Sequence, residues 1–314
     1  MVVGLALSKQ VCQFSLTLYL CLPILTYTVL SACSGRGCVQ LFHNAQGYHM
    51  HFDPSPTTNH SYYKRLERVL GQAQAGATRL HDLHGDIAPD QIERLALACL
   101  SKQEDVRLVV ESWIRAGCDL EEIYLQGLCK AARLMGDWWC SDHLDFATMT
   151  IACYRLHQLM FDLSPTFLAN ASIKTNGLSA LLAATTGSHH TMGVLMLSEF
   201  FRREGWSVTR EVPETHKDLL RMVETEWFDL VGLSVNNDQT VEEVRGVILQ
   251  IRQVCPNERL QVMVGGLIPG NRLLFTQEVG ADLLGTDARE SQLMALELVT
   301  SKAAHVPKRQ QRAS

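Results

Sequence analysis

The chain lacks the pairings that would let its cysteines hold a metal. Ten cysteines are spread over 314 residues with no CxxC pair among them, and zinc sites need ligands clustered at short spacing. Cys99, Cys118, Cys129, Cys140, Cys153 and Cys255 lie singly inside helical patterns. They read as small core hydrophobes of a reducing, cytoplasmic compartment. Excess positive charge is also missing: 28 Lys and Arg stand against 33 Asp and Glu, a formal net charge of −5. That balance excludes bulk electrostatic capture of nucleic acid. The one basic run is the tail, residues 301–314, with Lys302, Lys308, Arg309 and Arg312, read as a solvated terminus. No DNA-binding module and no catalytic domain is recognisable. Strong direct nucleic-acid binding, a substrate and an enzymatic activity are therefore not expected. What is present is an ordinary globular composition, 46% hydrophobic and 19% charged, in a length that suits two modest domains.

The first sixty residues leave three readings open. Phe14 to Cys33 is largely apolar with Pro23 inside it, about twenty apolar residues and so a marginal membrane span. Leu30-Ser31-Ala32-Cys33 matches a lipobox, which would make Cys33 a lipidated mature terminus. Met50 precedes a polar, proline-bearing segment, His51 to His60, where a natural start could sit. Membrane association of the folded part is not expected.

From Ser61 to about Pro165 the pattern is helical. Tyr62, Leu66, Val69 and Leu70 share a face. Pro89 opens a second helix to Leu100, with Ile92, Leu95, Ala96 and Cys99 as its buried stripe. A third runs from Glu104 to Ala116 and ends at Gly117. A fourth runs from Asp119, an N-cap, to Met135 and closes at Gly136. A fifth covers Leu144 to Leu163, and Pro165 ends it. Short connections predict an antiparallel bundle.

After a small, polar linker the rhythm changes. Between Gly177 and Thr300, strands are expected at Leu178–Ala184, Ser207–Val212, Leu230–Val235, Leu260–Val264 and Ala281–Leu284. Helices are expected at Met192–Glu204, Thr215–Glu226, Val241–Val254 and Ala288–Thr300. This alternation predicts a parallel, flavodoxin-like α/β sheet whose ligands bind beyond the carboxyl ends of the strands.

The loop Thr185-Thr186-Gly187-Ser188-His189-His190-Thr191-Met192-Gly193 lies at that mouth. Imidazole suits borderline transition metals, cobalt included. A bare ion would need carboxylate or thiol partners, which the loop lacks. A metal that brings four ligands in its own macrocycle needs only one protein donor.

The loop resembles that of cobalamin-binding domains, which carry Asp-x-His-x-x-Gly here, then Ser-x-Leu at the third strand and Gly-Gly after the fourth. This chain has Ser188-His189-His190-Thr191-Met192-Gly193, then Ser234-Val235-Asn236, then Gly265-Gly266, all in the corresponding loops. The resemblance implies that His190 replaces the cofactor's own base as the lower cobalt ligand, with His189 as the competing candidate. It implies that Gly193 lets loop and helix approach the corrin, that Ser234 offers a hydroxyl to the buried nucleotide, and that Gly265 and Gly266 leave room for a backbone to pass beside the base. Ser188 stands where an aspartate would bond the histidine's far nitrogen, and a hydroxyl is the weaker acceptor. Looser binding, or heme in cobalamin's place, follows as an alternative.

The helical region also has a counterpart. Gly136-Asp137-Trp138-Trp139 resembles the Gly-Asp-x-Trp of the helical caps of methionine synthase and light-sensing regulators, where a tryptophan covers the upper face of the cofactor. Trp139 takes that role by resemblance; core packing of both tryptophans is the other reading. Met149-Thr150 stands where those caps have Glu-His, which leaves the upper position to water, hydroxide, or a donor such as His143 or His157. Together these features resemble the PpaA/AerR family of regulators from purple photosynthetic bacteria, over about Ser61 to Thr300. The resemblance implies a cytoplasmic protein that binds cobalamin, in its hydroxo or aquo form. It would act on a PpsR/CrtJ-type repressor to control photosynthesis genes in response to light or oxygen. A corrinoid carrier for a methyltransferase and a cofactor-free interaction module remain alternatives.

Overall fold

The computed structural model describes residues 87–101, 104–169, 171, 175–186, 191–235, 239–268 and 270–304. The helix expected around Tyr62–Leu70 and the N-terminal readings lie outside the described residues.

Helix α1 (Pro89–Leu100) starts on its proline and buries Ile92, Leu95, Ala96 and Cys99, the stripe that helical spacing predicts. Helix α2 (Val106–Arg115) is capped by the Asp105 carboxylate, which accepts from the Arg107 N–H. Asp119 caps α3 (Leu120–Glu122), which continues through a π-helical stretch, Ile123–Leu128, into α4 (Cys129–Cys140). Helix α5 (Phe146–Ala169) completes the described part of the bundle.

Two expected helix ends fail. Gly136 does not close α4, which runs a further turn and packs Trp138 and Trp139 against the bundle core. Pro165 does not end α5. Beyond it Phe167 is fully buried, stacked on Tyr124 at 4.5 Å between ring centroids and 5.1 Å from Phe200. Just before it the Ser164 hydroxyl donates to Glu199. Tertiary packing here outweighs the lost backbone donor and the clash that proline brings.

The second half is a five-stranded parallel sheet in the order β2-β1-β3-β4-β5, the flavodoxin-like arrangement that the sequence predicts. Its elements are β1 (Ser179–Ala184), α6 (Thr191–Arg203), β2 (Ser207–Glu211), α7 (His216–Thr225), β3 (Leu230–Val235), α8 (Val241–Val254), β4 (Gln261–Gly266), α9 (Arg272–Val279), β5 (Leu283–Leu284) and α10 (Ala288–Ala304). Helix α9 is absent from the sequence expectation. Its punctuation was there: Asn271 caps its first turn, and Gly280 ends it with φ of 76°.

One face of the sheet packs on α7, α8 and α9, through Leu181, Val231, Leu233, Val262 and Val264. The other packs on α6 and α10, through Ala180, Leu182, Leu230 and Met263. Helix α6 belongs to two cores. Val194 and Phe201 face the sheet, whereas Leu195, Met196 and Phe200 enter the core of the bundle. The bundle therefore sits on the outer side of α6. Ion pairs from Glu121 to Arg203 and Arg289 reinforce this seam, as does the Arg203 guanidinium 4.5 Å above the Phe167 ring.

Candidate functional site

The strand order reverses between β1 and β3, which makes their carboxyl ends the topological switch point. Ala184, Ser234 and Gly265 lie side by side there on β1, β3 and β4. Just past β1, Thr185 is buried. Its N–H donates to the Ser234 carbonyl at 3.0 Å, and its hydroxyl lies 2.9 Å from that oxygen and 2.6 Å from Gln239 Oε1. These bonds pin the start of the histidine loop to the end of β3. Ser188, His189 and His190, and Asn236, lie outside the described residues, so the ligand candidates are placed only by what flanks them.

The three glycines differ. Gly266 has φ of 95°, and a Cβ there would lie 2.6 Å from the Val235 carbonyl oxygen and 3.0 Å from Ser234 Oγ. Its bareness lets β4 close on β3. Gly265 faces the backbone of Gly285 at 3.5 Å. Neighbouring backbone thus passes close beside both positions. Gly193, exposed in the first turn of α6, has nothing within 4 Å of a Cβ position. No packing within the described protein demands a glycine there.

Trp139 is half-buried in the last turn of α4, and its Nε1 is buried without a partner among the described residues. The same holds for Thr186 Oγ1 in the histidine loop and for Nε2 of Gln292, which is only 2% exposed on α10. Buried donors are ordinarily satisfied. A fourth, Trp206 Nε1, lies just before the amino end of β2; the other three, in the bundle, the histidine loop and the helix beside the sheet, fit a polar cofactor that supplies acceptors. Thr185 and Thr186 belong to the loop that the sequence singles out but are given no role there, and no motif marks Gln292.

The upper-face donors separate. His143 is exposed. His157, half-buried on α5, has Nδ1 2.9 Å from the Cys153 carbonyl and Nε2 3.4 Å from the Thr191 hydroxyl, at the first residue of α6. Burial lowers its pKa, and the charge of Arg210 adds to that, against the opposing bond to Cys153. Met149, in place of the caps' Glu-His, is buried in the bundle core. The described residues contain no group of three or more His, Cys, Asp or Glu able to hold a bare metal ion.

Residues 178–293 match the B12 binding domain family. Over 180 residues, 57% of this chain, the sequence is 31% identical to an uncharacterized 20.5 kDa protein from the bchF–crtJ intergenic region of Rhodobacter capsulatus, covering 93% of that protein. The chain belongs to the PpaA/AerR family. This PpaA/AerR-family chain is also 29% identical over 136 residues, 42% of its length, to dimethylamine corrinoid protein 2 of Methanosarcina acetivorans, of which it spans 61%. The fold of the family member matches that of the Methanosarcina barkeri monomethylamine corrinoid protein with a TM-score of 0.57 at 16% identity, over 67% of this chain and all of the other. No helix among the described residues is long and apolar enough to cross a membrane.

Proposed function

We propose that this chain is a cytoplasmic, cobalamin-dependent transcription regulator that acts through a repressor of the PpsR/CrtJ type on photosynthesis genes. The observation that carries this reading is the relative from the bchF–crtJ interval, matched along nearly its whole length. A gene beside crtJ is where a modulator of a CrtJ-type repressor would be expected. His190 is the lower cobalt ligand in this reading, with Ser188 as its weak orienting partner. Trp139, Gly193, Ser234, Gly265 and Gly266 surround the cofactor. Bound cobalamin would supply a cobalt centre able to exchange a ligand.

The chain's own residues convert occupancy into shape. Helix α6 begins one residue after His190 and is buried in both cores. A shift of the loop displaces α6, and the bundle must repack on Leu195, Met196 and Phe200. Only a cofactor that binds one arrangement better than the other can drive this change.

A second reading, a corrinoid carrier for a methyltransferase, is favoured by the match to dimethylamine corrinoid protein 2. Ser188 in the aspartate's place weighs against it, because a carrier must hold its ligand firmly through turnover. The test is the absorption spectrum of the purified chain after mixing with hydroxocobalamin and desalting, beside H190A. Retained corrin with a shifted spectrum, lost in H190A, is expected. Capture of a CrtJ-type repressor that depends on cobalamin would support the regulator, and methyl acceptance from a corrinoid methyltransferase would support the carrier. No retained corrin would sink both.

A further inference from the structure

Strand β2 lies at the margin of the sheet, with β1 on one side and no strand on the other. The Ser207 N–H donates to the Leu178 carbonyl at 2.8 Å. In a parallel ladder every second residue makes such bonds, so Thr209 and Glu211 also turn to β1. Val208 and Arg210 turn their N–H and C=O to the open side. No backbone partner meets them there among the described residues.

A groove of about 530 Å³ lies beside this edge. Leu168, Ala171 and Val208 give it an apolar wall, and Arg202, Trp206 and Ser207 bring N–H and O–H groups to it. The buried carboxylate nearby, Glu199, already accepts from Ser164 and Arg202. Strand alternation puts Arg210 on the face of Val208 and Glu211 on the opposite face. Arg210 makes no ion pair among the described residues, and its guanidinium lies 5.9 Å from the centre of the Phe161 ring. Burial lowers its pKa; Glu199 opposes that, and the like charge of Arg202 adds to it. Two arginines against one carboxylate leave this side of the edge positive.

We propose that the open edge of β2 takes up an extended, acidic segment of a partner protein as an added strand. Its backbone pairs with Val208 and Arg210. Two of its side chains, two residues apart, share the face that carries α6. The first is apolar and enters the groove beside Val208; the second is a carboxylate that meets Arg210. A second copy of the chain fits this edge poorly. Antiparallel pairing of β2 with its copy would put both Arg210 side chains on one face, where like charges repel. The edge lies apart from the mouth of the sheet, so the proposal does not rest on the cobalamin reading.

The test uses the full chain without cofactor and two capped peptides, Thr-Val-Thr-Glu-Thr and Thr-Val-Thr-Lys-Thr. Amide hydrogen exchange reads the edge, and amide NMR shifts read the affinity. In the free chain the Val208 and Arg210 amides are expected to exchange fast and the Thr209 amide slowly. The Glu peptide is expected to slow the first two and to bind about tenfold more tightly than the Lys peptide. R210E should reverse that preference. V208P removes one outward N–H at a position where an edge strand tolerates proline, and it should lose the Glu peptide while Thr209 stays protected. Should V208P fold poorly, R210E carries the test. Val208 and Arg210 amides already protected in the free chain would overturn the proposal, because the edge would be covered. Equal binding of the two peptides, or binding of neither, would overturn it too. So would a chain dimer that V208P dissociates, which would give the edge to a second copy.

Discussion

The two faces of the sheet treat buried polar groups differently. At the bottom of the strands and along the α7–α9 face, the buried side-chain amides and hydroxyl have partners: Asn257 Nδ2 donates to the Phe228 carbonyl, Gln261 Nε2 to Arg259, and Thr276 Oγ1 to Arg272. On the α6 and α10 side, Gln292 Nε2, Thr186 Oγ1 and Trp206 Nε1 are buried without a partner among the described residues, and so is Trp139 Nε1 in the bundle packed there. An unmatched buried donor costs about 1–3 kcal/mol. Buried Ser198 and Ser291 on that side have partners, and Trp206 lies just before the amino end of β2, away from the mouth, so the shortfall that a cofactor at the mouth would meet is at Thr186, Gln292 and Trp139. The contrast supports the cofactor reading without using any motif.

Substitutions on the two faces should separate stability from cofactor retention. Leu233 is buried in the α7–α9 core. L233A is expected to lose about 2–5 kcal/mol of stability through transfer and cavity terms, while corrin retained per folded molecule stays unchanged. Q292L removes an unsatisfied donor from the other face. It is expected to leave cofactor-free stability unchanged, or to raise it by about 1 kcal/mol, and to reduce the corrin retained. Denaturant midpoints and the corrin-to-protein ratio after desalting report both. If Q292L costs as much stability as L233A and binds corrin normally, the two faces do not differ in the way described.

The glycines sharpen the same division. G266A forces a side chain into the left-handed region, at about 1–2 kcal/mol, and places a Cβ against the Val235 carbonyl. A loss of stability larger than the strain alone is expected, read as a lowered melting temperature. Gly193 sits in helix with open space around it. G193A is expected to gain up to about 1 kcal/mol and to hold corrin less well. A G193A chain that binds as the wild type does would remove Gly193 from the site.

Much of the sheet was legible in the chain because its signals are local. Leu230–Val235 and Val241–Val254 are apolar and amphipathic runs with clear ends, and Thr240 with Glu243 forms a capping box. The illegible parts depend on distant residues. Helix α5 outlasts Pro165 because Phe167 has Tyr124 and Phe200 to pack on. Gly136 stays helical because the tryptophans after it have a core to enter. At the site, Gly265-Gly266 and Ser234 are singled out by resemblance to cobalamin-binding domains, in the loops that the strand pattern supplies. Gln292 is not, since nothing along the chain distinguishes a buried glutamine from a solvated one. Likewise nothing along the chain distinguishes the exposed His143 from His157, half-buried between the Cys153 carbonyl and the Thr191 hydroxyl.

The smallest expected effect tests the state of that ring. His157 has a folded pKa below its ordinary 6.5, chiefly through burial. As pH falls below 6.5 the unfolded chain takes up the proton first, so stability present above that pH is lost, by at most about 1.4 kcal/mol per pH unit for a single group. Asp162 works in the opposite sense. Burial raises its pKa above 3.8 against the pull of Arg107, so its contribution is full below 3.8 and is lost as pH rises through the folded value. The lower end of the acid range therefore mixes the two, and the stretch just below 6.5 belongs to the histidine. The cofactor-free stability of H157Q should fall less steeply than that of the wild type across that stretch, measured by urea midpoints at closely spaced pH values. Coincident curves would mean that burial between α5 and the start of α6 does not hold the ring neutral.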